Sequence, residues 1–155
     1  MPDFFTHVLT GVIVSSIMGK VEPIDLLLAI VLSTLPDIDA FMPPHRALLH
    51  SLIVVIPISL VSFALLQGIY GGYSIVVSLL PLIHILLDAL TGGIPVRLFY
   101  PLSKRSYQLS NIVDRFIVKL LKMSPYGYYI EVIRVNMILT LLATLLILYR
   151  YLTAT

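Results

Sequence analysis

Four histidines and three aspartates are the side chains of this sequence best suited to hold a metal ion. The set is His7, Asp37, Asp39, His45, His50, His84 and Asp88. Imidazole and carboxylate donors without any cysteine suit zinc, manganese or iron. His84 and Asp88 are four residues apart, so on a helix they share one face and can bind the same ligand.

Seven candidates exceed the needs of a single catalytic ion, so the set allows one ion or two. In a two-metal site Asp37 or Asp39 would bridge ions ~3.5–4 Å apart, an arrangement that serves displacement at phosphorus. A carboxylate or imidazole left over would act as general base, or would orient a ligating imidazole. We assign the catalytic roles to Asp39 and Asp88.

Each candidate also has an ordinary structural explanation. A lone His7 is typical of a membrane interface, Asp37 and Asp39 are typical of a turn, and His84 with Asp88 is typical of an intrahelical pair. His45 beside a basic residue is typical of a surface that faces lipid headgroups. These explanations need four separate coincidences at one membrane face, whereas a metal site needs one.

The elements that position these side chains are hydrophobic helices. Of the 155 residues, 59% are hydrophobic and 12% are charged, whereas soluble domains carry about 25% charged residues. A soluble domain of this length cannot bury so much apolar surface, so lipid is the expected solvent. The net charge of +2 does not indicate a nucleic-acid partner, and the lack of cysteine excludes disulfides and thiolate sites.

Five apolar segments lie at 6–19, 24–35, 47–70, 73–90 and 133–152. A spanning helix needs about 20 residues, so the third and fifth are long enough, the fourth nearly so, and the first two are short. We predict an all-α integral membrane bundle of about five embedded helices in a single domain, 1–155. The metal-site core would be 6–105, followed by an interfacial helix and an anchor helix within 110–152.

Charge predicts the orientation of this bundle. Six of the ten basic residues lie within 94–132, where Ser110 is a candidate N-cap for an amphipathic helix in the membrane interface. Basic loops stay in the cytoplasm, so this segment should be cytoplasmic. Alternating spans put the N-terminus and the 36–46 loop on the same side. We therefore expect a multi-pass protein of the cell membrane with its site facing the cytoplasm.

Prolines predict the local geometry around the candidate ligands. Pro36 is expected to hold Asp37 and Asp39 in a loop outside helical geometry. The pair Pro43-Pro44 is expected to keep His45 in the loop, with His50 in the first turns of the third helix. Pro81 is expected to kink the fourth helix one turn before His84.

Four motifs, in order, resemble the YdjM-like family of predicted membrane-bound metal-dependent hydrolases. They are Leu35-Pro36-Asp37-Ile38-Asp39, His45-Arg46-x-x-x-His50-Ser51, His84-x-x-x-Asp88-x-x-Thr91-x-Gly93 and Tyr100-Pro101-Leu102-Ser103-Lys104-Arg105, and Thr6-His7 with Gly11 fits the N-terminal pattern. The resemblance implies a helical membrane hydrolase whose metal site holds the seven residues named above. A looser similarity links such proteins to zinc-dependent phospholipase C. Ala47 and Leu49 depart from the glycine and threonine that are usual in the family.

The combined expectation is a hydrolase that uses a metal-activated water, with zinc the first choice of ion. Its substrate would be a small-molecule or lipid-linked phosphoester at the membrane, held by Arg46 and Arg105. Two alternatives stay open: a cation or proton transporter, and a structural membrane protein with a metal site. The sequence indicates no oligomeric state.

Overall fold

The computed structural model describes residues 4–41, 46–91, 95–108 and 128–154, and these form six α-helices. They are α1 (Phe4–Ile17), α2 (Pro23–Thr34), α3 (Leu52–Tyr70), α4 (Gly72–Ser78), α5 (Leu80–Thr91) and α6 (Tyr128–Ala154), with a 3₁₀ helix (Leu35–Phe41) directly after α2. An isolated bridge joins Val96 and Tyr107, and no strand occurs among the described residues. The predicted all-α class is confirmed.

Three helical stretches are long and apolar enough to cross a membrane. They are Leu52–Tyr70, Gly72–Leu90 and Asn136–Thr153, and the second of them combines α4 with α5. Helix α1 has 14 residues and α2 has 12, which is short of the about 20 that a full span needs. The amphipathic helix predicted after Ser110 lies outside the described residues.

Helices α1 and α2 form a hairpin that is closely packed at one point. Gly19, with a φ of +73°, follows α1, and Pro23 begins α2. At Gly11 a Cβ atom would lie 2.6 Å from Ser33 Oγ and 2.7 Å from the carbonyl oxygen of Ala29. Only glycine fits such an approach. The contact positions α1, which carries His7 one turn earlier, against α2.

The helix formed by α4 and α5 lies at the centre of the bundle. On one side Ala29 and Leu32 of α2 pack against Val77 and Leu80 in a buried apolar cluster. On the other side Ile85 packs against Val55 of α3 and against Val96. Large apolar side chains of α3 and α6 point outward, as lipid contact requires, and His84 and Asp88 of α5 point inward.

The prediction of a loop at Asp37 and Asp39 is wrong, because both lie in the 3₁₀ helix. Pro36 has no N–H with which to continue the α-helical pattern of α2. The chain tightens instead into a helix of three residues per turn, in which residues two apart point about 120° away from each other. Asp37 and Asp39 therefore contact different partners.

The placement of His50 in the first turns of the third helix is also wrong. Helix α3 begins at Leu52, and Ser51 caps it by accepting a hydrogen bond from the backbone N–H of Ile53. Ser51 is extended, with a φ of −93° and a ψ of 132°, so the helix cannot continue back through it. His50 lies in the preceding turn, which starts from Arg46 in the left-handed region at a φ of +53°. His45 lies outside the described residues.

The irregularity expected near His84 is present as a break at Leu79. Helix α4 ends at Ser78 and α5 begins at Leu80. The cause is Pro81, which has no N–H to donate to the carbonyl of Val77. The break lies one turn before His84 and sets the direction of α5 across the site.

Candidate metal centre

Five side chains of metal-ligand type meet at one end of the bundle. His7 comes from α1, Asp37 from the 3₁₀ helix, His50 from the turn before α3, and His84 and Asp88 from α5. The three histidines and Asp88 are each 1% exposed. Asp37 differs, since 26% of its side chain is exposed. The centre is thus closed on the side of the histidines and open at Asp37.

Asp88 lies in the middle of this arrangement. Its Oδ1 is 3.3 Å from His7 Nε2, and its Oδ2 is 3.2 Å from His50 Nε2. His84 Nε2 is 3.9 Å from the same Oδ2 and 3.5 Å from Oδ1 of Asp37. Two groups of three have all their donor atoms within 4.8 Å of one another: His7 with His84 and Asp88, and Asp37 with His50 and His84. His84 belongs to both groups.

These donor atoms face one another without forming hydrogen bonds. Nine buried side-chain nitrogen and oxygen atoms of the described residues have no hydrogen-bond partner, and seven belong to the five residues of the centre. They are both ring nitrogens of His7, Oδ2 of Asp37, Nε2 of His50, Nε2 of His84 and both oxygens of Asp88. Each buried polar atom without a partner costs about 1–3 kcal/mol. So many in one place form a group that could hold a metal ion.

The distances between the donor atoms are compatible with a shared metal ion. Donor atoms bound at about 2.0–2.1 Å in a tetrahedron lie roughly 3.3 Å from one another. The contacts of Asp88 with His7 and His50 are 3.3 and 3.2 Å, and that of His84 with Asp37 is 3.5 Å. Nitrogen and oxygen donors at these separations suit a divalent transition metal. An ion between them would satisfy the donor atoms that form no hydrogen bond within the protein.

His84 is fixed in the tautomer that a metal ligand needs. Its Nδ1 lies 2.7 Å from the carbonyl oxygen of Ser33, at the end of α2. A carbonyl oxygen only accepts, so Nδ1 carries the proton and donates it. In the neutral ring Nε2 then holds a lone pair, and it points towards Asp37 and Asp88. Ligating histidines are usually oriented by such a bond from the other nitrogen.

His50 is held in the same way by a carboxylate. Its Nδ1 lies 3.0 Å from Oδ2 of Asp39, which leaves Nε2 directed to Asp88. Asp39 also accepts from the backbone N–H groups of Arg46, at 3.3 Å, and Ala47, at 3.1 Å. Burial raises the pKa of Asp39, but the bonds from His50 and from the two amides outweigh burial and hold it below its ordinary value. Both oxygens of Asp39 are therefore occupied in orienting the turn and the ring.

Arg46 is the one cationic side chain that the described residues bring into the centre. It is only 7% exposed, and its Nη2 lies 3.1 Å from Oδ2 of Asp88. The backbone of the same residue binds Asp39, so one residue links both carboxylates. A guanidinium at this place partly offsets the negative charge of Asp88, and guanidinium groups bind phosphate and carboxylate anions well.

The other cation chosen from the sequence lies elsewhere. Arg105 is exposed, its guanidinium lies 5.9 Å from the centre of the Tyr107 ring, and its backbone N–H binds the Ser103 hydroxyl. Its contact with a substrate stays a prediction.

The position of His7 is supported by contacts of α1 with α5 and with α6. Its ring stacks on that of His84, with the ring centres 3.6 Å apart and the planes at 18°. The adjacent Thr6 donates a hydrogen bond of 2.8 Å from its hydroxyl to Oδ1 of Asn136 in α6. The C-terminal helix is therefore connected to the segment that carries His7.

Three residues that support the histidines of the centre were not identified as such from the sequence: Ser33, Asn136 and Gly11. The Ser33 carbonyl belongs to the backbone, which side-chain patterns do not reveal. The contact of Asn136 with Thr6 joins residues 130 positions apart. The close approach at Gly11 had a visible signal, because a glycine inside an apolar helix often marks tight packing.

Comparison with known proteins agrees with the resemblance that the motifs indicated. No curated protein and no solved structure matches the chain. The family model described as YdjM inner membrane protein matches residues 1–155, which is the whole chain. The three helices able to cross a membrane fit that description. The chain therefore belongs to the YdjM inner membrane protein family.

Proposed function

We propose that this protein is a membrane-bound metal-dependent hydrolase that cleaves phosphoesters at the cytoplasmic face of the membrane. The observation that supports the proposal most is the convergence of seven buried donor atoms that form no hydrogen bond, from His7, Asp37, His50, His84 and Asp88. Their nitrogen and oxygen chemistry favours zinc, with manganese or iron as the other choices, and allows one ion or two.

The residues divide into ligands and supports. His7, His50, His84 and Asp88 would hold the ion through the atoms that face one another. Asp39 and the Ser33 carbonyl keep the rings of His50 and His84 in orientation. A divalent ion here supplies Lewis acidity, which lowers the pKa of water and stabilises charge that develops on a phosphoryl oxygen.

Asp37 is the carboxylate that substrate and water reach first. Its Oδ1 faces His84, whereas its Oδ2 has no partner and its side chain is partly exposed. We assign Asp37 the task of accepting the proton that the attacking water loses. This moves the proton-transfer role away from Asp39, whose oxygens are engaged with His50 and two amides, and from Asp88 at the closed side of the centre.

Arg46 favours an anionic substrate. Its guanidinium approaches Oδ2 of Asp88 at 3.1 Å, so positive charge lies beside the ligands where a phosphate would bind. Bonds between a guanidinium and a phosphate are among the stronger ones in proteins and add orientation as well as attraction. Arg46 would hold a non-bridging oxygen of the phosphoryl group while the nucleophile attacks.

The membrane arrangement belongs to the same proposal. Helices α1 and α2 form a short embedded hairpin beside three spanning helices, which makes five embedded helices. The basic residues of the segment that follows α5, Arg97, Lys104 and Arg105, favour a cytoplasmic position for this end of the bundle. A site at this depth lies level with lipid headgroups.

Transport is the competing function, and the packing favours hydrolysis over it. A conduit needs polar groups through the depth of the membrane. Beyond His84, towards the opposite face, Leu32 and Ala29 of α2 pack against Leu80 and Val77 in an apolar cluster. The polar centre is therefore backed by hydrocarbon at this point of the bundle.

A hydrolysis assay on the purified full chain tests the proposal. Zinc-loaded protein is offered a panel of phosphomonoesters and phosphodiesters, with and without a chelator, beside the variants Asp37→Asn and Asp25→Asn. Asp25 is a suitable control, because it is also a buried acid, 4% exposed, but lies 12 residues before Asp37, roughly 18 Å away along α2.

We expect hydrolysis that the chelator abolishes, that Asp37→Asn reduces strongly and that Asp25→Asn retains. Bound metal without any chelator-sensitive hydrolysis would contradict the proposal and favour a structural metal site. Metal-dependent proton or cation flux in liposomes, lost on the same Asp37 substitution, would favour transport instead.

A further inference from the structure

A groove of about 540 Å³ runs along the outside of the bundle and ends at the metal centre. It lies between the start of α1, the end of α2 and the 3₁₀ helix, and its lining includes Phe4, Val31, Leu35, Ile38 and Phe41. This volume is within the ~300–1,000 Å³ that is usual for ligand sites. The groove reaches the centre at Asp37.

The lining combines hydrocarbon with a single ionisable group. That group is Asp37, whose Oδ1 lies 3.5 Å from His84 Nε2 and whose Oδ2 is buried without a partner. The side chains of Ile38 and Phe41 are 50% and 88% exposed, so the groove is open on its outer side. An exposed apolar surface of this kind is suited to contact with acyl chains.

Resting on the proposed function, we infer that the groove receives the hydrocarbon chain of a phospholipid-like substrate and leads its phosphate to Asp37 and the metal centre. The occupant has to be apolar along most of its length, because the lining offers it almost only hydrocarbon. It has to be polar and anionic at one end, because Arg46 and the donor atoms that could hold a divalent ion lie behind Asp37. A bilayer lipid with a phosphate headgroup meets both conditions, whereas a free, water-soluble phosphoester leaves the apolar lining unused.

Lipid binding is measured in a chain that has no tryptophan of its own. Phe41→Trp places a single fluorophore at the groove. Leu65→Trp places one on α3, where the residue is 71% exposed and lies roughly 20 Å along the helix from its first residue, Leu52. Each zinc-loaded protein is reconstituted in phosphatidylcholine vesicles with rising fractions of phosphatidic acid that carries brominated acyl chains. Quenching against lipid fraction gives the binding constant of the brominated lipid relative to the bulk lipid at each position.

We expect the constant at Phe41→Trp to be several-fold above that at Leu65→Trp, which should report ordinary exchange with bulk lipid. Adding Val31→Phe, which fills the groove, should lower the constant at position 41 to that of Leu65→Trp. Adding Leu27→Phe, one turn earlier in α2 and outside the lining, should leave it high. Equal constants at positions 41 and 65, or no response to Val31→Phe, would overturn the inference.

The result is separable from the outcome for hydrolysis. If the groove binds the brominated phosphatidic acid but no phosphoester is cleaved, the lipid site stands and the proposed function fails. If phosphoesters are cleaved and the two tryptophan positions report the same constant, the hydrolase stands and the lipid groove fails.

Discussion

The Nδ1 atom of His84 lies 2.7 Å from the carbonyl oxygen of Ser33, so the last turn of α2 determines which nitrogen of this imidazole faces the metal centre. Four residues beyond Ser33, Asp37 approaches the other nitrogen, Nε2, at 3.5 Å. The end of α2 thus holds one side of the ring by its backbone and meets the other side with a carboxylate. The proposed chemistry depends on how this helix ends.

The support that Asp39 gives to His50 is testable by a change of one atom. Asp39→Asn puts an amide N–H₂ beside groups that already donate, namely the backbone N–H groups of Arg46 and Ala47 and His50 Nδ1. Loss of such a partner usually lowers metal affinity by about 10–100-fold. Competition with a zinc chelator measures the change, and unchanged affinity in Asp39→Asn would remove the supporting role.

The close approach of α1 to α2 should tolerate no side chain at Gly11. Gly11→Ala brings a Cβ to 2.7 Å from the carbonyl oxygen of Ala29, which is backbone and cannot turn aside. Overpacking of this kind costs about 1–3 kcal/mol, and the displacement of α1 should also weaken zinc binding through His7. Thermal unfolding in detergent, with and without zinc, measures both effects.

Gly68 provides the matched control for this substitution. It lies in α3, and a Cβ there would meet nothing within 4 Å. Gly68→Ala should leave zinc binding unchanged and should stabilise the helix by about 0.5–1 kcal/mol, because alanine loses less backbone entropy than glycine. Equal losses of stability in the two variants would mean that packing at Gly11 is not what positions α1.

Arg150 should contribute to stability without affecting the metal. Its Nε donates to the carbonyl of Ser16 and its Nη2 to the carbonyl of Ile17, which caps the C-terminal end of α1 from α6. Arg150→Met removes these charged hydrogen bonds, each worth about 1.5–3 kcal/mol, and should lower the Tm. Zinc content should not change, because His7 lies near the opposite end of α1. A loss of zinc in Arg150→Met would contradict this separation of roles.

Much of the architecture follows from hydrophobic pattern alone. The long apolar segments predict the membrane-spanning helices, and the spacing of four residues between His84 and Asp88 predicts that both lie on one face of α5. Antiparallel apolar segments that begin or end at polar residues also predicted that distant side chains meet at one end of the bundle. The contacts of His7, His50 and Asp37 with the two α5 residues agree with that expectation.

The residue pattern of the sequence does not predict features that depend on backbone conformation. Arg46 has a left-handed backbone and Ser51 an extended one, and together they place His50 in a turn before α3. The apolar residues around them predict a helix, because hydrophobic pattern does not reveal these backbone angles. The 3₁₀ continuation after Pro36 separates the directions of Asp37 and Asp39, which spacing in a loop does not determine. The tautomer of His84 follows from a carbonyl that no side-chain motif contains.

Membrane orientation is testable because the chain has no cysteine of its own. Leu48→Cys and Lys104→Cys should react with a membrane-impermeant thiol reagent from the same side, and Gly72→Cys should react from the opposite side. The physical reason is that two candidate spans, α3 and the helix formed by α4 and α5, separate positions 48 and 104, whereas α3 alone separates 48 from 72. Labelling of positions 48 and 104 from opposite sides would break the proposed topology and the cytoplasmic position of the site.

The most direct test of the metal centre is elemental analysis of the purified chain beside His84→Ala, Asp88→Asn and the Asp25→Asn control. His84 belongs to both groups of donors and Asp88 contacts three histidines, so either substitution should remove most of the bound transition metal. The wild-type chain and Asp25→Asn should carry one or two ions of zinc, manganese or iron per chain. A folded wild-type chain without any transition metal, or undiminished metal in both site variants, would contradict the account.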